Sequence, residues 1–210
     1  MQGAIAKKLR RVMMLSRSQR RKVTPVAENG RKKQRTAVPQ TVRRDHFDAV
    51  VAAIREPYRT MMLLQWAVGL RPGEACRMRL RDIDVETGDL TTPRDGKTGE
   101  RKLAFDTEGL CAEALRTWIA KRPAGAYLFG GTKAIRRNTY YMSVLRTCDK
   151  LGIPRIKPYA LRHTYATDLM HQREAIADIA AALGHRNVLT TAQYYLHSNP
   201  ETMRRMNAGR

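Results

Sequence analysis

Apolar side chains recur at helical spacing from residue 47 onwards, and glycines interrupt the pattern. Phe47, Val50 and Val51 stand at positions i, i+3 and i+4, which indicates one buried face of an α-helix. Similar apolar stretches lie at 61–70, 110–118, 141–151 and 176–183. Gly69 and Gly184 come at the ends of two of these stretches, where glycine commonly ends a helix. The pattern predicts a domain built mainly from α-helices.

The helical spacing is lost in one segment, DIDVETGDLTTPRDGKTGERKLAF, at 82–105. Gly88 and the Asp95-Gly96 pair punctuate it, and such residues favour turns between short strands. A short helix is expected just before it, beginning near Pro72, because proline suits the first turn of a helix. The predicted fold class is therefore mainly α (α+β), with helices around a small antiparallel β-meander.

The positive charge of the chain is concentrated at its start. The 210 residues contain 40 Lys and Arg against 19 Asp and Glu, a formal net charge of +21. Residues 1–44 hold 14 of these bases and one acid, Glu28, so +13 lies there and +8 on the rest. We predict a basic, partly disordered arm at 1–40 and one domain at 41–210, with a polyanion as partner. A solvated tail and an arm that follows phosphates are both compatible with this composition.

Composition excludes several other classes of protein. Hydrophobic residues make up 42% of the chain, enough for a core, and the sequence contains no apolar run of the roughly 20 residues that a membrane helix needs. The three cysteines show no C-x-x-C spacing, which argues against a disulfide scaffold and a structural zinc site. The start, MQGAIAKKLRRVMML, has no secretory signal pattern. We expect a cytoplasmic protein that does not enter membranes.

Charged residues beside apolar helical stretches are the candidates for chemistry. In GLRPGEACRMRL, Arg71 and Glu74 are three residues apart and share one face of a helix. In KPYALRHTYATDLM, Arg162 and His163 lie inside a compact helical stretch, and a buried guanidinium requires an anion or acid. An ion pair of this arginine with an aspartate, at position 168 or 178, is the ordinary structural explanation.

A third segment, AALGHRNVLTTAQYYLH, places a histidine directly after a glycine helix stop. This residue is His185, and Tyr194 and Tyr195 follow nine and ten residues later. Taken alone, the histidine is most simply a surface residue and the tyrosines part of a core.

The order of these residues resembles the tyrosine recombinase (phage integrase) family from about residue 42 to about residue 198. The matching positions, in family order and at similar spacing, are Arg71, Lys97, Arg162, His185 and Tyr194. The resemblance implies that a tyrosine hydroxyl attacks a DNA phosphodiester and forms a covalent 3′-phosphotyrosyl link. It implies neither a cofactor nor a metal ion, and the sequence lacks an Asp/Glu cluster with metal-ligand spacing.

By the same resemblance, Arg71 and Arg162 bind the scissile phosphate, and guanidiniums suit this because they bind oxygens in pairs. Lys97, in DGKTGERK, protonates the leaving 5′-oxygen, with Lys102 as the less suitable match. His185 contacts the phosphate or the nucleophile. Glu74 supports the first arginine.

Two positions depart from the family pattern or are ambiguous. The family usually has histidine three residues before the second arginine, whereas this chain has Tyr159, a poor base near neutral pH. The general base is therefore shared or replaced, with His163 and Tyr159 as candidates. The family interval from His185 favours Tyr194 as nucleophile, and Tyr195 is the alternative, since helical neighbours point about 100° apart.

The resemblance also suggests partners and leaves alternatives. It implies double-stranded DNA as substrate, a homo-tetramer assembled on DNA, accessory DNA-bending proteins and a nucleoid-associated location when bound. No full core-binding domain is apparent before residue 41. A type IB topoisomerase or telomere resolvase shares the chemistry, while a truncated, non-catalytic remnant would only occupy recombination sites. A basic RNA-binding protein would explain the charge but not the order of the motifs.

Overall fold

The computed structural model describes residues 41–93 and 99–185 together with residues 187, 188 and 191. The predicted arm at 1–40 lies outside the described residues, as do Lys97, Tyr194 and Tyr195. Within the described ranges the chain forms seven α-helices and one small sheet, which confirms the predicted fold class.

The helices and strands follow one another in a simple order. The helices are α1 (Arg44–Ala53), α2 (Tyr58–Val68), α3 (Pro72–Arg77), α4 (Leu110–Lys121), α5 (Arg137–Leu151), α6 (Pro158–His171) and α7 (Ile176–Leu183). The strands β1 (Asp89–Thr91) and β2 (Lys102–Ala104) lie between α3 and α4, after a 3-10 turn at Leu80–Asp82. As predicted, α3 begins at Pro72, and Gly69 and Gly184 cap α2 and α7 in the left-handed conformation.

Helix α2 lies at the centre of the domain and contacts α1, α3, α4, α5 and α6. Its sequence, YRTMMLLQWAV, is apolar around most of the helix, as expected for a helix enclosed on all sides. Met61, Met62, Leu64 and Val68 are fully buried there. The packing around α2 brings α3 and α6 to the same region of the domain.

A buried polar chain runs from α5 through α2 to Leu70, two residues before α3. The Tyr140 hydroxyl donates a hydrogen bond of 2.5 Å to Oε1 of Gln65, and Nε2 of Gln65 donates one of 2.8 Å to the Leu70 carbonyl. Both side chains are fully buried, so these bonds satisfy groups that would otherwise be costly to bury. They hold the turn in which Arg71 follows Leu70.

The sheet is small and antiparallel. Strand β1 pairs with β2 in the register Leu90 to Leu103, and Ile83 adds an isolated bridge to Leu90. Thr92, directly after β1, and Arg101, directly before β2, continue the pairing, because the Thr92 amide donates to the Arg101 carbonyl at 2.9 Å. This pair stands at the base of the connection between the two strands.

Three details differ from the apolar pattern read along the chain. Leu110 and Leu151 are 49% and 39% exposed, because they lie at the ends of α4 and α5, where packing is incomplete. In α5 the core residue is Tyr140, and its neighbour Tyr141 lines an open groove instead.

The three cysteines are buried and free. In the described part of the chain, no helix is long and apolar enough to cross a membrane.

Candidate active site

The carboxyl-terminal end of α7 is the point at which the charged candidates meet. Helix α7 is the apolar sequence IADIAAAL, and Gly184 ends it with a φ of +62°. The last carbonyls of a helix have no partner within it and carry partial negative charge. They therefore attract cationic side chains.

Three guanidiniums donate hydrogen bonds to three consecutive carbonyls at this end of α7. Arg101 Nε bonds the Ala182 carbonyl at 2.9 Å, and Arg71 Nη2 bonds the Gly184 carbonyl at 3.5 Å. Arg162 Nη2 bonds the Leu183 carbonyl between them. The helix end therefore holds together residues that are up to 91 positions apart in sequence.

Glu74 lies between two of these guanidiniums. Its Oε1 accepts hydrogen bonds from Arg71 Nη1 at 2.8 Å and from Arg101 Nη1 at 2.9 Å. Its Oε2 accepts from the Arg71 backbone amide and from Arg101 Nη2, both at 2.8 Å. Burial alone raises the pKa of Glu74, but hydrogen bonds and charge from Arg101, with bonds from Arg71, lower it to about 2. The carboxylate is ionised at neutral pH.

Arg162 is 2% exposed on α6, and its hydrogen-bond partners are two backbone oxygens. Besides the Leu183 carbonyl, it donates to the Gly69 carbonyl at 2.9 Å. These bonds replace the ion pair with an aspartate that the sequence alone allows. Burial and the positive charges of Arg71 and Arg101 lower the pKa of Arg162 to about 9, so it is still cationic at neutral pH.

His185 follows the cap of α7 and faces the same cluster. Its Nδ1 lies 2.8 Å from the Thr191 hydroxyl, and Thr191 is buried. Burial first, and then the positive charges of Arg162, Arg71 and Arg101, lower the pKa of His185 to about 4. The imidazole is therefore neutral at pH 7 and offers one ring nitrogen as donor and one as acceptor.

Tyr159 and His163 lie one turn apart on α6 and touch through their rings, with centroids 4.9 Å apart in an edge-to-face arrangement. Tyr159 is 47% exposed. It also lines an open groove of about 710 Å³ beside Arg71. Other residues of this groove are Gly73, Arg77, Arg137, Asn138 and Tyr141.

Most of the predicted site residues that the structure describes come together, and three others lie outside the described part of the chain. Arg71, Glu74, Arg162 and His185 form one cluster, with His163 close enough for its charge to act on His185. Lys97 and the two candidate tyrosines are among the residues that the structure does not describe. Lys102, the alternative to Lys97, is exposed on β2.

Arg101 belongs to the cluster but is not among the residues that the sequence singles out. Its signal is the two-residue period in and around β2: Arg101, Leu103 and Phe105 are partly or fully buried, while Lys102 and Ala104 are exposed. An arginine on the inner side of a strand requires partners, and Glu74 and α7 supply them. Within the described ranges, no group of three or more His, Cys, Asp or Glu residues is placed to hold a metal ion.

Comparison with known proteins places this cluster in a family. The sequence profile described as "Phage integrase family" matches residues 40–202, a range that includes every described residue. The chain belongs to the phage integrase family. This membership confirms the resemblance read from the order of the motifs.

The curated phage integrase relatives are tyrosine recombinases. Tyrosine recombinase XerA of Pyrococcus horikoshii is 27% identical over 75% of this chain and 57% of its own length. Tyrosine recombinase XerA of Thermococcus kodakarensis is 28% identical over 80% of this chain and 62% of its own length. This integrase-family chain thus spans less than two thirds of the length of these relatives.

Solved structures of integrase-family proteins have the same fold. The crystal structure of XerA recombinase superposes with a TM-score of 0.66 at 25% identity, over 82% of this chain and 65% of that chain. XerH recombinase, in a post-cleavage complex with the palindromic difH substrate, gives a TM-score of 0.67 at 21% identity, over 89% and 58%. The second likeness concerns the fold alone.

Proposed function

We propose that this integrase-family chain is a site-specific DNA recombinase that cleaves and rejoins DNA strands through a covalent 3′-phosphotyrosyl intermediate. The observation that carries the proposal is the convergence of Arg71, Arg162, Glu74 and His185 at the end of α7. Three guanidiniums against one carboxylate leave the cluster a charge of +2, suited to a phosphodiester. The recombinase names of its relatives support the proposal.

In the proposed reaction, Arg71 and Arg162 bind the non-bridging oxygens of the scissile phosphate. Negative charge grows on these oxygens as the nucleophile approaches, and guanidinium donors held by the protein stabilise it without rearranging. Glu74 keeps the Arg71 side chain in one orientation through the bond from Nη1. Arg162 is held in place by two carbonyls, which leave further N–H groups for the phosphate.

The bond changes balance without a metal or an external energy source. The hydroxyl of Tyr194 loses its proton and its oxygen bonds the phosphorus, while the bond from phosphorus to the 5′-oxygen breaks. The 5′-oxygen takes up a proton, which we assign to Lys97, and leaves as a hydroxyl. A 5′-hydroxyl of another strand then reverses the step. These two residues lie outside the described ranges, so their roles remain predictions from the sequence.

Neutral His185 is proposed to contact the phosphate or the nucleophile through its second ring nitrogen. Nδ1 is engaged with Thr191, which leaves Nε2 for the substrate. Because Tyr159 replaces the usual histidine and is half exposed, we assign the transfer of the tyrosine proton to His163 with Tyr159 beside it. Their ring contact keeps the two side chains together near His185.

Double-stranded DNA is the proposed substrate and partner. The groove beside Arg71, with Arg77 and Arg137 on its wall, is where we propose that the backbone flanking the scissile phosphate lies. A homo-tetramer on DNA, accessory DNA-bending proteins and a nucleoid-associated location are further predictions from the family resemblance.

The proposed function is tested by detecting the covalent protein–DNA adduct. The full chain is incubated with nicked, end-labelled fragments of genomic DNA from its source, and SDS-resistant protein–DNA adducts are recovered and sequenced. We expect adducts at one defined sequence, abolished in Tyr194→Phe and retained in Tyr195→Phe. The reverse pattern would make Tyr195 the nucleophile.

The same material distinguishes the alternatives. Adducts at many unrelated positions, with relaxation of a supercoiled plasmid, would indicate a type IB topoisomerase-like activity. Site-specific binding without an adduct would indicate a non-catalytic protein that occupies recombination sites.

A further inference from the structure

Arg101, directly before β2, makes three side-chain hydrogen bonds within the cluster. Two of its nitrogens bind the two oxygens of Glu74, at 2.9 Å and 2.8 Å, and Nε binds the Ala182 carbonyl at 2.9 Å. Its side chain is only 10% exposed. A largely buried guanidinium with three such bonds holds its partners in a fixed geometry, since its donors lie in one rigid plane.

The backbone of Arg101 is fixed as well. Its amide donates to the Thr92 hydroxyl at 3.0 Å, and its carbonyl accepts from the Thr92 amide at 2.9 Å. Lys97 lies along the chain between these two residues, four positions before Arg101. Arg101 therefore pairs with Thr92 through its backbone and binds Glu74 and α7 through its side chain.

The absence of a side chain at Gly184 leaves room for Arg101 at the end of α7. A Cβ added to Gly184 would lie 3.1 Å from both Cδ and Nη1 of Arg101, closer than ordinary contact. The glycine in the L-G-H sequence thus allows α7 to end and Arg101 to pass close against its last turn.

We propose that Arg101 is a positioning residue for strand cleavage, because it binds both oxygens of Glu74 and so fixes the carboxylate that orients Arg71. Without Arg101, the buried carboxylate would have Arg71 as its remaining strong partner and would draw that guanidinium into a two-bond pair. This inference rests on the function proposed above.

The first test separates cleavage from binding. Arg101→Met and Arg101→Lys are compared with wild type for the rate of adduct formation and for affinity to the adduct-forming DNA. We expect Arg101→Met to slow adduct formation by about 100-fold, the scale of a small misplacement of a reacting group, with affinity changed much less. Arg101→Lys retains the charge and recovers part of the rate.

Arg116→Met is the matched control. Arg116 also pairs with a carboxylate, Glu86, and a carbonyl, that of Val85, but away from α7. We expect wild-type adduct formation from it. A wild-type rate of adduct formation in Arg101→Met would overturn the proposal. Equal losses of rate and affinity in Arg101→Met and Arg116→Met would overturn it as well.

The second test does not require activity. The charged groups that act on the pKa of His185 are Arg162, Arg71, Arg101 and His163. The imidazole of His185 is titrated by NMR and assigned by the disappearance of its signal in His185→Gln. We expect an upward shift of its pKa in Arg101→Met and none in Arg101→Lys, because only the first removes a cation from the site.

The two proposals fail in different ways. If wild type forms no adduct on any DNA, the proposed function falls, whereas Arg101 is still judged by the His185 titration. If wild type forms the adduct and Arg101→Met does so equally fast, Arg101 has no positioning role and the proposed function stands. Should Arg101→Met not fold, Arg101→Lys decides, since an unchanged cleavage rate in it would contradict the need for the two-bond geometry.

Discussion

Gly184 has two structural roles in this site. It caps α7 with a φ of +62°, and it leaves room for Arg101, whose Cδ and Nη1 would lie 3.1 Å from an added Cβ. Gly152 caps α5 with a φ of +64°, but a Cβ there would have no neighbour within 4 Å. The two glycines therefore separate the cost of the backbone conformation from the cost of crowding Arg101.

We expect Gly184→Ala and Gly152→Ala each to lower the free energy of unfolding by about 1 kcal/mol, because both positions hold the left-handed conformation. Only Gly184→Ala should also slow adduct formation, since only there does the methyl group displace a site residue. Urea denaturation and the adduct assay measure the two effects. Equal rates of adduct formation in both variants would show that the crowding has no consequence.

His185 makes the stability of the domain depend on pH. Its pKa is about 4 in the folded chain against an ordinary value of 6.5, so between these values only the unfolded chain takes up the proton. The unfolding free energy should therefore fall as the pH decreases from about 6.5 to about 4. Glu74, with its pKa lowered to about 2, adds a further loss only below about 4.5.

The prediction is that His185→Gln flattens the pH dependence of unfolding between pH 6.5 and 4, measured by urea denaturation at a series of pH values. His171→Gln, at an exposed position at the end of α6, is the control and should leave the slope unchanged. An unchanged slope in His185→Gln would mean that folding does not lower the pKa of this histidine.

At the scale of elements, α2 connects the core to the site. Its Gln65 accepts a hydrogen bond from Tyr140 on α5 and donates one to the Leu70 carbonyl, directly before Arg71. All of these groups are buried, so the loss of one donor leaves an acceptor without its partner in the core.

We predict that Tyr140→Phe lowers the free energy of unfolding by about 1–3 kcal/mol, the cost of a buried acceptor left unsatisfied. Tyr141→Phe, one position along α5 on the wall of the open groove, should lower it much less. Chemical denaturation of the two variants gives the comparison. Similar losses in both would mean that the bond to Gln65 contributes little.

The elements themselves follow from local patterns. Helix α3 begins at Pro72, and α2 and α7 end at Gly69 and Gly184, as the residue types predict. The apolar spacing is less informative at helix ends, where Leu110 and Leu151 are exposed. In α5 it selects Tyr141 where the core takes Tyr140, because adjacent tyrosines carry the same apolar signal and only the neighbouring helices choose between them.

At the scale of the whole molecule, charge is the dominant property. Residues 1–40 contain 12 Lys and Arg and one acid, and they lie outside the described residues. Deletion of 1–40 should weaken DNA binding and reduce the slope of log affinity against log salt by about 0.9 for each phosphate that the segment neutralises. Fluorescence anisotropy with a labelled duplex at several salt concentrations measures it. An unchanged slope would show that this segment does not contact DNA.

The sequence by itself determined the order of the helices, the position of the small sheet and the family, and it singled out Arg71, Glu74, Arg162 and His185 as candidates. These are carried by local spacing and by the order of motifs along the chain. Only the tertiary structure decided that Arg71 and Arg162 meet at the end of α7, that Glu74 is shared with Arg101 and that His185 is neutral. The physical reason is that burial and charge at a site depend on groups far apart in sequence, which only the packing around α2 brings together.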